Sequence, residues 1–109
     1  MSRILLVDDD DVFRYVTGRL LERTGSRVVT AHDYRDALRV LEDGAAVDVL
    51  VIGFALARMA RMKHPHIRCI YLTGDDISLD EALGSVLHKP IVGSDLIREV
   101  SAALSPHAT

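Results

Sequence analysis

Four acidic residues in a row, Asp8-Asp9-Asp10-Asp11, end the apolar run Ile4-Leu5-Leu6-Val7. Three other apolar runs end in residues that could do chemistry beside them. Val49-Leu50-Val51-Ile52 ends in Gly53, Cys69-Ile70-Tyr71-Leu72 in Thr73-Gly74, and Val86-Leu87-His88 in Lys89-Pro90. Carboxylates suit a hard cation such as magnesium. An ammonium and a hydroxyl suit phosphoryl oxygens. Brought into one cleft, these groups would form a site for phosphate or metal chemistry. The plainer reading is that Asp10 or Asp11 caps a helix and that Lys89 only neutralises Asp8 and Asp9. Which reading holds depends on whether the ends of the runs converge.

The pattern along the chain predicts that they do. Each run is short, and Ile4–Val7, Val49–Ile52 and Cys69–Leu72 are apolar throughout, the signature of a strand buried on both faces. Between the runs lie helical stretches. The first opens at Asp10 or Asp11 and runs to about Thr24, with Val12, Phe13, Val16, Leu20 and Leu21 as its apolar stripe and Gly25 as its stop. Arg27 to Ala31 is a more polar strand. Asp33 caps a helix from Tyr34 to Asp43, which turns in Ala37, Leu38 and Leu41 and stops at Gly44. Phe54 to about Lys63 is helical until His64-Pro65 ends it. Ser78-Leu79-Asp80-Glu81 is a capping box that opens a very short helix. Ser94 caps a last helix, buried through Leu96, Ile97, Val100 and Leu104.

Five β–α units in strict alternation predict a parallel sheet with right-handed crossovers. The most apolar strands, the first, third and fourth, belong in its centre, and the second and fifth suit its edges. The doubly wound, flavodoxin-like order 2-1-3-4-5 meets both conditions. It gathers the strand ends on one edge, beside the switch point between strands one and three.

Composition narrows the function. The chain has 109 residues, 49% of them hydrophobic, the size and content of a single domain over residues 1–109. Residues 105–109 read as a loose tail. A net charge of −3 argues against general nucleic-acid binding. The lone Cys69 fits a reducing cytoplasm. No stretch reads as a signal peptide or membrane span, so a cytoplasmic protein without membrane contact is expected.

Taken together, Leu5-Leu6-Val7-Asp8-Asp9-Asp10, Asp48-Val49-Leu50-Val51-Ile52, Tyr71-Leu72-Thr73-Gly74 and His88-Lys89-Pro90 resemble the receiver domain of bacterial two-component response regulators. The resemblance spans nearly the whole chain. It implies that Asp8 and Asp9 match the metal-binding acidic pair. It implies that Thr73 matches the switch hydroxyl and Lys89 the lysine that contacts the phosphoryl group. The bond to Pro90 would be cis. The departures are as informative. The family's phosphoacceptor aspartate falls at Gly53, which has neither nucleophile nor ligand. Asp48 cannot stand in, because it precedes the apolar run and lies at the opposite end of the strand. The metal-binding loop after the acceptor looks deleted, the third and fourth β–α units are short, and Val86 replaces an aromatic switch residue.

The resemblance and its departures imply a stand-alone, degenerate receiver with no reaction of its own. It would work in two-component phosphorelay signalling by phosphorylation-independent protein–protein binding. No cofactor is expected, and Mg2+ at Asp8 and Asp9 would be weak at most. The expected partner is a histidine kinase, another response regulator or a second copy. Its surface would be centred on residues 77–100, through Ile77, Leu79, Leu83 and Val86, with Phe13 and Tyr15 on the first helix as the alternative. The competing reading is a residual phosphoryl-accepting, metal-dependent receiver that uses Asp8 or Asp9. Other features have plainer explanations. The basic run Arg58, Arg61, Lys63 and Arg68 suits a solvated face, His64 and His66 an exposed turn, and Cys69 an inert core position.

Overall fold

The computed structural model describes residues 2–43, 46–53, 68–74 and 85–104. Five parallel strands form one sheet in the order β2-β1-β3-β4-β5, as the strand chemistry predicted. They are β1 (Arg3–Val7), β2 (Arg27–Ala31), β3 (Val49–Gly53), β4 (Arg68–Thr73) and β5 (Ser85–His88). The register sets Val7 beside Ile52, Gly53 beside Leu72 and Thr73 beside His88.

The unbroken apolar runs have a direct cause. Successive side chains leave a strand on opposite faces, and both faces are covered here. Leu5, Val7, Leu50, Ile52, Cys69 and Tyr71 pack with Ala37 and Leu41 of α2 (Tyr34–Glu42). Ile4, Leu6, Val49, Val51, Ile70 and Leu72 pack on the other face, with Leu21 of α1 (Asp11–Leu21) and Leu96 and Val100 of α3 (Gly93–Leu104). Truncating one of the fully buried leucines to alanine costs about 2–5 kcal/mol.

Capping fixes the helix starts. The Asp10 carboxylate accepts the Phe13 N–H at 2.9 Å, and the Asp33 carboxylate accepts the Asp36 N–H at 2.8 Å. A single 3-10 turn, Glu22–Thr24, extends α1. Gly25 then stops it at φ 81°, a left-handed conformation that costs glycine little.

Two expectations need correction. Val12 and Val16 are exposed, whereas Thr17, Gly18 and Leu21 are buried. Val12 and Val16 each precede an inward-facing position, Phe13 and Thr17, and one residue is about 100° around a helix. Ser94 does not cap α3. Val92 O accepts the N–H groups of Asp95 and Leu96, so the first turn begins before Ser94. Gly93 sits there because α1 comes close: a Cβ on it would lie 3.1 Å from Leu20 Cδ2. The shortened third and fourth units, the capping box at Ser78, the stop at Gly44, the basic run up to Lys63, His64, His66 and the tail 105–109 fall outside the described residues.

Candidate functional site: the carboxyl edge of the sheet

Parallel strands all point one way, so the residues that follow them share one edge. Asp8 follows β1, Gly53 and Thr73 end β3 and β4, and Lys89 follows β5. Asp48 lies at the other edge, where its carboxylate accepts the Arg3 N–H at 2.8 Å.

Asp8 is the centre of the arrangement. Its side chain is only 7% exposed. One carboxylate oxygen accepts the Asp10 N–H at 2.9 Å, and the other meets Lys89 Nζ at 3.1 Å. The Asp8 N–H donates to Ala31 O at 3.2 Å, and its carbonyl accepts from Arg14 at 2.7 Å. Asp9, by contrast, is exposed. The sequence left open which of the two Lys89 would meet, and the fold selects Asp8. Lys89 also lies 4.5 Å from the centroid of the Phe13 ring, a cation–π distance. Its N–H donates to Thr73 O at 2.7 Å, and the Lys89-Pro90 bond is cis. Thr73 is buried.

Two parts of this cluster were not foreseen. Phe13 reads from the sequence as helix packing and as part of an alternative partner surface, and it also faces the lysine. Arg14 tethers α1 to the strand end, with its guanidinium shared between Asp8 O and the Asp11 carboxylate at 2.5 Å. The spacing of Asp11 and Arg14 signals an i,i+3 pair, but nothing in the sequence signals the bond to Asp8. Of the expected partner surface, Val86 is half-buried and packs beside the α2-side core. Ile77, Leu79 and Leu83 lie outside the described residues.

A second group of polar side chains sits at the end of β2. His32 reaches the Asp33 carboxylate at 3.2 Å through Nε2 and the Asp36 carboxylate through Nδ1. The Asp36 N–H holds the Asp33 carboxyl below the usual carboxylate range against an opposing desolvation, and His32 and Arg35 lower it less. Among the described residues this is the group with three side chains close enough to share an ion, and it is well exposed.

A magnesium ion would find few protein oxygens at this edge beyond the exposed carboxylate of Asp9. Magnesium keeps most of its waters and is held through one or two carboxylates. Both Asp8 oxygens are engaged, and Gly53 adds none.

No family model matches the chain. It is 32% identical to the transcriptional regulatory protein CpxR of Escherichia coli K12, over 95% of this chain and 50% of CpxR. The chain thus spans about half the length of the curated relatives it matches. The receiver domain of the hybrid histidine kinase CckA superposes with a TM-score of 0.78 at 29% identity, over 95% of this chain and 100% of that one. A two-component response regulator from Clostridium difficile has the same fold, with a TM-score of 0.84 at 19% identity over the whole of both chains.

Proposed function

We propose that the chain is a CheY-like response-regulator receiver domain and that it signals without being phosphorylated. Receiver domains are regulatory modules, not enzymes, and belong to two-component signal transduction. The finer reading rests on one observation: glycine ends β3, and the neighbouring Asp8 carboxylate is already bonded to Lys89 and the Asp10 N–H. A residue without a side chain cannot form an acyl phosphate. Lys89 then acts as a fixed counter-charge, and the domain stays in one binding-competent form. It is a degenerate receiver, and Mg2+ binds weakly at most.

Such a domain acts by binding a histidine kinase, another response regulator or itself, in the cytoplasm. Among the described residues no helix is long and apolar enough to cross a membrane, and the mild acidity of the chain speaks against nucleic acid. The binding surface is proposed around residues 77–100, with Ile77, Leu79, Leu83 and Val86. The exposed apolar side chains of α1 support the first helix as a second face.

The test is incubation with a small phosphodonor and magnesium, followed by intact-mass measurement and calorimetry. No stoichiometric mass gain and little heat from millimolar magnesium are expected. A full phosphoryl adduct mapped to Asp8 or Asp9 would overturn the proposal and install the metal-dependent alternative.

A further inference from the structure

The large apolar side chains exposed among the described residues are Val12 (73%), Tyr15 (65%), Val16 (58%) and Val92 (57%). Three of the four belong to α1. Their i, i+3, i+4 spacing puts them on one stripe, turned away from the core. Arg19 and Arg23 continue the stripe toward the end of the helix, and both are exposed. At its start lie Asp9, Asp10 and Asp11, also exposed. The α1 surface is therefore acidic at one end, apolar in the middle and basic at the other. Tyr15, Val16, Arg19, Leu20, Glu22 and Arg23 line a shallow groove of about 680 Å3 along its second half.

We propose that this face is covered by α1 of a second copy, antiparallel across a two-fold axis. Charge order selects the occupant. An axis between Tyr15 and Val16 sets Tyr15 of one copy against Val16 of the other. It sets Arg19 against Val12 of the second copy, next to Asp11 there. The acidic start meets the basic end, and the two-fold repeats the match. The helix dipoles then also run in opposite directions. A parallel arrangement would oppose like charges instead. Glu22 opposite Asp9 is the one like-charge pair, and it lies at the margin, where water and salt screen it.

The size of the contact sets its strength. Eleven residues make a helix of about 16 Å. One such face falls short of the ~800 Å2 per partner of a standard interface. The dimer is therefore weak and reversible, with a Kd on the order of tens to hundreds of micromolar. While it stands, it hides α1 from other partners, so self-association and docking of a partner on this helix exclude one another. The inference rests on the phosphorylation-independent binding proposed above and names one partner for it.

Sedimentation equilibrium of the full chain, from micromolar to millimolar, tests it. A monomer–dimer equilibrium is expected, unchanged by phosphodonor. Val16→Glu should raise its Kd about tenfold or more. Since Val16 is exposed, circular dichroism should show an intact fold. Arg19→Glu and Asp11→Lys should each weaken self-association. An equimolar mixture of these two variants should restore it, because only in the mixed dimer does each introduced charge face its opposite, while the unaltered Arg19 of one copy still faces the unaltered Asp11 of the other. That rescue cannot come from misfolding. A chain that stays monomeric, a dimer indifferent to Val16→Glu, or a mixture without rescue would each overturn the inference. A monomer that binds a kinase fragment without phosphodonor would overturn it too, yet leave the proposed function standing. A phosphorylated chain with an intact mixed-dimer rescue would do the reverse.

Discussion

Two charged clusters share the carboxyl edge of the sheet, and they are built from similar parts. At the switch point between β1 and β3, Asp8 meets Lys89, with Phe13 behind the ammonium. At the end of the edge strand β2, His32 meets Asp33 and Asp36. The difference is cover. The Asp8 side chain is 7% exposed, whereas His32 and Asp33 are 59% and 51% exposed. A carboxylate held out of water needs its partners, because an unsatisfied charge there keeps its desolvation cost. One that water reaches can exchange a neighbour for solvent at almost no cost. Equal chemistry therefore does not mean equal consequence, and position in the sheet decides which cluster matters.

Breaking the central pair should have the largest effect. Lys89→Met leaves the Asp8 carboxylate without its cation and should lower stability by about 1–3 kcal/mol. Adding Asp8→Asn should recover part of that loss. Denaturant titration of the single and double variants measures the coupling, and additive effects would mean that the pair is not a unit.

Gly53→Asp sharpens the contrast by adding charge to the central cluster. Among the described residues, an added Cβ would come no closer than 3.9 Å to a heavy atom outside its chain neighbours, Leu72 O, so the fold should accept the side chain. A second carboxylate at this edge should strengthen magnesium binding by about tenfold, roughly 1.4 kcal/mol, since magnesium is held through one or two carboxylates. Calorimetry that shows no gain would mean that Lys89 keeps the site closed to cations.

Phe13→Leu keeps most of the packing and removes the ring from Lys89. A loss of about 0.5–1 kcal/mol is expected from the missing cation–π contact, visible as a lower denaturation midpoint. If the loss vanishes once Lys89 is methionine, it comes from that contact. If it persists, Phe13 is only a core residue.

The edge cluster should tolerate more. His32→Ala should change stability by no more than about 0.5 kcal/mol. A change as large as that of Lys89→Met would erase the contrast between the clusters.

The smallest effect is one of pH. The Asp33 carboxyl is held below its ordinary range, chiefly by the Asp36 N–H it caps. A depressed carboxyl contributes stability above its unfolded pKa, near 3.9, and loses it as pH falls through the lower folded value. Acid titration below about pH 4 should therefore loosen the start of α2, and Asp33→Asn should flatten that response. Loosening on the alkaline side would contradict the sign.

The strands, their order and the edge where the polar groups meet were all legible in the chain. A strand apolar at every position has to be covered on both faces, and only the centre of a parallel sheet between helices offers that. It was also legible which end of β3 carries Gly53 and which carries Asp48, because direction along a strand is written in the chain. The resemblance added roles to those residues, and their places on one edge follow from the strands: Asp8 and Asp9 come after β1, Thr73 ends β4 and Lys89 comes after β5. Packing in three dimensions set the rest. It chose Asp8 over Asp9 for a lysine 81 residues away, because the end of β1 tucks one carboxylate under the loop after β5 and leaves the next in water. It turned Val12 and Val16 outward, since α1 takes its rotation from what it packs against, and an apolar residue carries no label for inside or outside. It also began α3 before Ser94, because the close approach of Leu20 calls for a glycine there and a serine alone does not fix where a helix starts. Local pattern is legible wherever a periodicity must be satisfied. Contacts between distant segments are set by packing, which no single stretch of the chain encodes.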